Sequence, residues 1–245
     1  MQNLINFKKK TVLITGGGKN IGRSIVEVFL HQGANIVVND ILPLEKCEVS
    51  KEILSFPKFS FSQGDITSFN YRERLIKETL SKFLKIDVLV NNVGIGSGEG
   101  FFDIQPEIMK KSIETNLVAP FFLSQKVAKQ MVKTKTGGSI IFISSIHAKI
   151  PSGNADYSST KSALNILVKE MAFELGRFGI RVNGIAPGKI DATVEKDNRI
   201  PLQNISGLPD DIAKAVLFFA DSNFSRYITG EILTVDGGLS LDFQR

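Results

Sequence analysis

Seven short runs along this 245-residue chain read as strands, and most of them are apolar on both faces instead of at every second position: TVLIT (11–15), NIVVN (35–39), KFSFS (58–62), DVLVN (87–91), SIIFIS (139–144), IRVNGI (180–185) and EILTV (231–235). A strand with one wet face alternates apolar and polar side chains, whereas a strand with no wet face does not. Runs of this kind therefore belong to a parallel sheet covered by helices on both sides. The intervening segments 20–31, 71–84, 107–132, 155–176 and 209–221 are each long enough to be a crossover helix. No linker, low-complexity tract or internal repeat interrupts the alternation. The pattern predicts one α/β domain over 1–245, a Rossmann-type doubly wound parallel sheet of about seven strands with helices on both faces.

Composition narrows the setting. With 42% hydrophobic and 22% charged residues, the chain can bury a sizeable core without metal or disulfide. The single cysteine, Cys47, excludes an internal disulfide framework, and the polar opening MQNLINFKKK has no signal-peptide pattern, so a reducing cytoplasm is expected. The longest apolar stretch, LVAPFFL (117–123), is far short of the ~20 residues that cross a bilayer, and no membrane association is expected. The formal charge of +5 is scattered, and its one cluster, the lysines at 8–10, reads as a solvated approach to a strand. No nucleic-acid partner is predicted.

Ligands of doubly wound sheets bind beyond the carboxyl ends of the strands, and the unusual residues of this chain collect there. After the first run, in TGGGKNIG (15–22), Gly16, Gly17 and Gly18 permit a tight turn with N–H groups facing outward. Gly22 lets the next helix pack closely while its N-terminus faces an anion. Asn20 stands where a dinucleotide loop would carry another glycine; asparagine tolerates a left-handed backbone, so the turn keeps its shape. Asp40 closes the second run, placed to accept hydrogen bonds from adenosine ribose hydroxyls and to repel a 2′-phosphate. Lys19 points the other way, because a basic residue in this loop can pair with a 2′-phosphate. The charge of Asp40 is directed at the ribose itself, and NAD is favoured over NADP. Asp65, in QGDIT, either reaches the adenine edge or caps a helix. NNVG (91–94) ends the fourth run with groups that let the backbone approach a ligand or a neighbouring loop.

The chemistry-bearing residues lie in the second half. Tyr157 and Lys161 are four apart in a segment whose apolar positions follow the helical period, so they share one face. An ammonium near a phenol favours phenolate, drawing a pKa of ~10 toward the range of a general base. IFISSIH places Ser144 and Ser145 at the same sheet edge. Asn116 lies in a helical segment, and Pro120 has no N–H to give to its carbonyl; the freed carbonyl either binds a water leading toward Lys161 or marks a simple kink. His31 and His147 are too few and too isolated for a metal site, and no metal is expected.

Taken together in order, TGGGKNIG, NNVG, YSSTK (157–161), APG (186–188) and ITGEILTVDGG (228–238) resemble the motifs of the short-chain dehydrogenase/reductase family, over nearly the whole chain. The resemblance implies hydride transfer between nicotinamide and a carbinol or carbonyl carbon. It implies that Tyr157 exchanges the proton with substrate oxygen, that Lys161 lowers the Tyr157 pKa and holds the nicotinamide ribose, that a serine polarises the carbonyl and that Asn116 positions a relay water. The family's usual spacing selects Ser144; the strand register and the following IHAKIP select Ser145, which is assigned here. Gly16, Gly18, Lys19, Asn20, Ile21, Gly22, Asp40, Asp65, Ile66, Asn92, Gly94, Pro187, Gly188 and Ile190 are expected to line the cofactor site with Tyr157 and Lys161, and Thr193 to hold the carboxamide. The short segment between Thr193 and Pro201 predicts an open substrate pocket. The expected activity is oxidation of a secondary alcohol, or reduction of a ketone, with NAD. Alternatives are an NADPH-dependent reductase of 3-oxoacyl thioesters or secondary metabolites, and a non-catalytic NAD(H)-binding scaffold. A homotetramer, or a dimer, is implied by the long helices and last strand of relatives.

Overall fold

The computed structural model describes residues 6–244. Seven strands form one sheet, β1 (Thr11–Thr15), β2 (Asn35–Asp40), β3 (Phe59–Gln63), β4 (Val88–Asn91), β5 (Gly138–Ile143), β6 (Ile180–Pro187) and β7 (Ile232–Val235). Every pairing is parallel, in the order β3-β2-β1-β4-β5-β6-β7. The strand order reverses between β1 and β4, which opens a crevice at their carboxyl ends.

Burial explains the continuous apolar runs. Val12 and Ile14 of β1, Ile36 and Val38 of β2, and Val88 and Val90 of β4 pack on one face with Ile25 and Phe29 of α1 (Asn20–His31) and Val216 of α7 (Pro209–Ala220). Their neighbours Leu13, Val37 and Leu89 pack on the other face. They meet Leu75 of α3 (Phe69–Phe83), Leu123 of α5 (Ala119–Thr134) and Leu164 of α6 (Ala155–Leu175). Successive side chains of β1, β2 and β4 thus point into two different cores, so both parities are apolar through the middle of these strands.

Local signals set the helix ends. Ser68 Oγ accepts from the Tyr71 N–H to cap α3, and the Asp211 carboxylate accepts from the Leu208 N–H at 2.8 Å to start α7. Helix α1 is different: its N-cap residue, Lys19, makes no side-chain cap and its first turn carries no acid, so its leading N–H groups are left for a ligand. The segment read as one helix over 107–132 is divided: α4 (Pro106–Ile113) passes through a π-helical turn at Glu114–Val118 into α5. The missing N–H of Pro120 falls in the first turn of α5, next to this widened turn. A five-residue helix, α2 (Lys51–Ser55), is capped by Ser50; a single turn is too short to register as periodicity.

Beyond β6 the chain doubles back as a small hairpin. The Ser206 N–H donates to Glu195 O and the Asp197 N–H to Asn204 O, at 2.8 and 2.9 Å. The turn carries Gln203 and Asn204 at φ of 59° and 53°. Ile200 is buried against Ile146 and Leu239, and the Leu202 N–H donates to Gly237 O, so the short segment is pinned to the body.

Candidate active site

A cleft of about 670 Å³ runs along the carboxyl ends of β1, β2, β3 and β4. Gly16, Lys19, Asn20, Ile21, Gly22, Asp40, Asp65, Ile66, Asn92 and Gly94 all line it. A second pocket of about 260 Å³ shares Ile21, Asn92 and Gly94 with the first and adds Ser145, Tyr157, Lys161, Pro187, Gly188 and Ile190. The shared residues make the two one continuous trench with phenol and amine at one end and a carboxylate at the other.

The glycine loop keeps its turn with asparagine in it. Asn20 sits at φ 47°, in the left-handed region that asparagine enters with least strain. Gly22 is needed for a different reason: a Cβ there would collide with the Gly16 carbonyl oxygen. Asn92 holds the same turn, its amide nitrogen donating to the carbonyls of Thr15 and Gly16 at 3.2 and 2.8 Å. The Asp40 carboxylate is buried and accepts from the N–H groups of Gly18 (2.9 Å) and Leu42 (3.0 Å), which fixes its direction. Asp65 lines the cleft, and its Oδ1 accepts from the Thr67 N–H and hydroxyl in a local turn; the helix cap that the sequence also allowed it falls to Ser68 instead. These residues fit an extended dinucleotide, with an uncapped helix end and glycine turn for its phosphates between a carboxylate for one ribose and Tyr157 and Lys161 at the far end.

At that far end Lys161 is fully buried, and its ammonium donates to the Ile143 carbonyl at 2.7 Å. Burial lowers its pKa from 10.5 to about 8. A methyl on Gly94 would lie 2.8 Å from Lys161 Nζ and 3.7 Å from Asn116 Oδ1, so glycine is what allows the three to converge. The Asn116 side chain accepts from the Ile95 N–H (2.8 Å) and donates to the Ile95 carbonyl (2.7 Å) and Thr160 hydroxyl (2.9 Å). It belongs to the π turn, a feature that recurs at functional sites.

Tyr157 departs from the sequence reading in one respect. Its pKa is raised by burial, offset in part by the Ser145 hydroxyl, instead of being drawn down by Lys161. Lys161 Nζ stands 5.5 Å from the centre of the phenol ring and is spent on a backbone carbonyl, so desolvation of the phenol prevails. The two serines are separated by their partners: the Ser144 hydroxyl donates to Asn165 Oδ1 at 2.6 Å, whereas Ser145 faces Tyr157.

Thr193 lies apart from its expected place. It is exposed and lines neither part of the trench, because the Asp191 N–H bonds to Gly207 O and the chain then leaves along the hairpin. Conversely Lys111, Glu114 and Thr115, on α4 and the π turn, line the cleft without having been read from the sequence. Only the Pro120 break near them hinted at a helix that approaches the ligand.

The family model described as short chain dehydrogenase matches residues 10–202. The chain is 35% identical over 268 residues to an L-rhamnose-1-dehydrogenase of Scheffersomyces stipitis, covering 100% of both. It is 40% identical over 242 residues to a 7alpha-hydroxysteroid dehydrogenase of Escherichia coli, covering 94% of this chain and 93% of the relative. Among solved structures it resembles a short chain dehydrogenase from Leptospira borgpetersenii with bound NAD+, at TM-score 0.88 and 28% identity over 96% of this chain and 94% of that one. On sequence and fold, the chain belongs to the short chain dehydrogenase family.

Proposed function

We propose that the protein oxidises a secondary alcohol, or reduces the corresponding ketone, with NAD as hydride partner and with Tyr157, Ser145, Lys161 and Asn116 as the working residues. The observation that carries this reading is the convergence of Tyr157, Ser145 and Lys161 in a pocket continuous with the dinucleotide-shaped cleft. When bound, the nicotinamide supplies or accepts the hydride. The Ser145 hydroxyl holds the substrate oxygen beside the phenol, and Tyr157 takes the proton in oxidation and returns it in reduction. Lys161 keeps positive charge near Tyr157, and the N–H donors not used on the Ile143 carbonyl would hold the nicotinamide ribose. The Asn116 carbonyl, left without an N–H by Pro120, leads a proton path away from Lys161.

Support for NAD over NADP comes from Asp40, whose carboxylate is oriented by two backbone N–H groups at the rim of the cleft, where it would meet the adenosine ribose and repel a 2′-phosphate. The ammonium of Lys19 on the same rim is the counter-argument, and calorimetric titration with NADH and NADPH decides between them. Tighter NADH binding is expected; tighter NADPH binding would overturn the cofactor assignment. The relative named for L-rhamnose oxidation makes aldoses the first substrates to test, with hydroxysteroids and 3-oxoacyl thioesters alongside. With any productive substrate, Tyr157→Phe is expected to abolish turnover while leaving the NADH dissociation constant within about twofold, because only the transferable proton is lost. Turnover by Tyr157→Phe would overturn the acid/base role.

We further infer a cytoplasmic homotetramer. The free Cys47 accords with a reducing compartment, and among the described residues no helix is long and apolar enough to cross a membrane. A groove of about 470 Å³ between α5 and α6 supports self-association.

A further inference from the structure

Immediately before Tyr157, Asp156 is wholly buried, and a buried carboxylate is tolerated only where donors surround it. Here they come from two other parts of the fold. Its Oδ2 accepts from the Ser97 N–H (3.2 Å) and the Ser112 hydroxyl (2.5 Å), and its Oδ1 from the Ser97 hydroxyl (3.0 Å). Asn154, with its amide turned to suit its neighbours, donates to Oδ1 as well and accepts from the Gly98 N–H. Burial alone would raise the carboxyl pKa, but the Ser112 and Ser97 hydrogen bonds outweigh it and hold Asp156 below the usual carboxylate range. The carboxylate therefore joins α6, α4 and the segment leaving β4.

That segment forms one wall of the site. Gly94 backs onto Lys161, and Ile95 is tied by both its N–H and its carbonyl to Asn116. Gly96 lies on Tyr157 so closely that a Cβ would sit 3.1 Å from the Tyr157 Cβ and 3.3 Å from Cδ2. Asn116 holds the near end of the wall and Asp156 the far end, at Ser97. Without the second tie, the wall would pivot about Ile95 and release the ring of Tyr157.

We propose that Asp156 is a positioning residue, its buried carboxylate clamping the Gly94–Ser97 segment against Tyr157 and so fixing the phenol for proton transfer. The proposal rests on the reading of Tyr157 as the acid/base residue. Asparagine is isosteric and still offers an acceptor to Ser97, with an N–H₂ that its hydroxyl can meet by rotating, whereas alanine offers nothing.

The test compares Asp156→Ala and Asp156→Asn with the wild type by amide exchange of the ligand-free protein, NADH titration and steady-state kinetics. Asp156→Ala is expected to speed exchange at Gly96–Gly98, to lower kcat by about tenfold or more, as a misplacement on the ångström scale does, and to leave the NADH dissociation constant within about twofold. Asp156→Asn is expected to restore both slow exchange and most of kcat. Should Asp156→Ala fail to fold, Ser112→Ala removes one donor from α4 without touching Tyr157, and a smaller change in the same two readouts is expected. Wild-type exchange and kcat in the alanine variants would overturn the proposal. So would a loss of kcat matched by an equal loss of NADH affinity, or failure of Asp156→Asn to rescue. Turnover by Tyr157→Phe would instead overturn the underlying reading, and exchange in the ligand-free protein would still report whether Asp156 holds the wall.

Discussion

Lys161 lies under Gly94 with its ammonium donating to a single backbone carbonyl, that of Ile143. An ammonium taken out of water and left without a counter-ion among the described residues destabilises the fold, and lowering its pKa from 10.5 to about 8 corresponds to about 3 kcal/mol. The folded state holds this proton less tightly than the unfolded chain. The destabilisation is therefore fully present below pH 8 and is relieved as pH rises from about 8 to 10.5. Lys161→Met is expected to abolish turnover yet to be more stable at pH 7 by about 1–3 kcal/mol, the lower figure allowing for the Ile143 carbonyl left unpartnered. The advantage should shrink at pH 10; urea denaturation of ligand-free wild type and variant at both values measures it. An equal difference at both would place its origin in packing instead of charge. At this scale the sequence showed which residue types meet, since Tyr157 and Lys161 share a helix face. It did not show that burial of the phenol would prevail over the ammonium, because desolvation depends on atoms from β5 and the Gly94 segment.

The α4–π–α5 element carries Asn116, one of the proposed working residues, in its widened turn. An uninterrupted α-helix would direct the Asn116 carbonyl at the N–H of residue 120; proline has none, and the helix widens at Glu114–Val118. Pro120→Ala supplies that N–H. It is expected to draw residues 114–118 toward regular α-helix, to preserve or raise thermal stability, and to lower kcat by about tenfold through a shift of Asn116 on the ångström scale. Unchanged kcat with unchanged stability would show that the turn is held by the Asn116 side-chain bonds and not by the proline. The hairpin after β6 is the element least visible in the sequence. Its length was plain, but its pinning by Ile200 was not, nor was the crowding of Lys189 by Asp191, Glu195 and Asp197 at 3.4, 3.5 and 3.6 Å. Hairpin pairing between residues eleven apart, such as Glu195 and Ser206, has no helical or strand period to announce it.

On the scale of the molecule, α5 and α6 present apolar side chains to solvent. Ile166 and Phe173, two turns apart on α6, are 56% and 88% exposed, and Phe122 of α5 is also exposed. Burying such a surface against a second copy is the simplest way to remove it from water. Sedimentation velocity is expected to show four chains per particle, and Phe173→Glu to shift the population to smaller species without loss of secondary structure; a monomeric wild type would overturn the inference. What the sequence by itself determined was the layered sheet and the collection of its unusual residues at one edge. The two-parity burial of Leu13 between Val12 and Ile14 is written in local order, and a parallel sheet has one end where crossover loops meet ligands. What only the tertiary structure decided was which of two adjacent serines faces the phenol, where Thr193 goes, and that Asp156 ties down the wall of the site. Ser144 is claimed by Asn165, 21 positions on, and Asp156 by partners 59 and 44 positions away. Periodicity records which side of an element is buried; it carries no information on which distant hydroxyl completes a buried carboxylate, because that pairing exists only once the helices have docked.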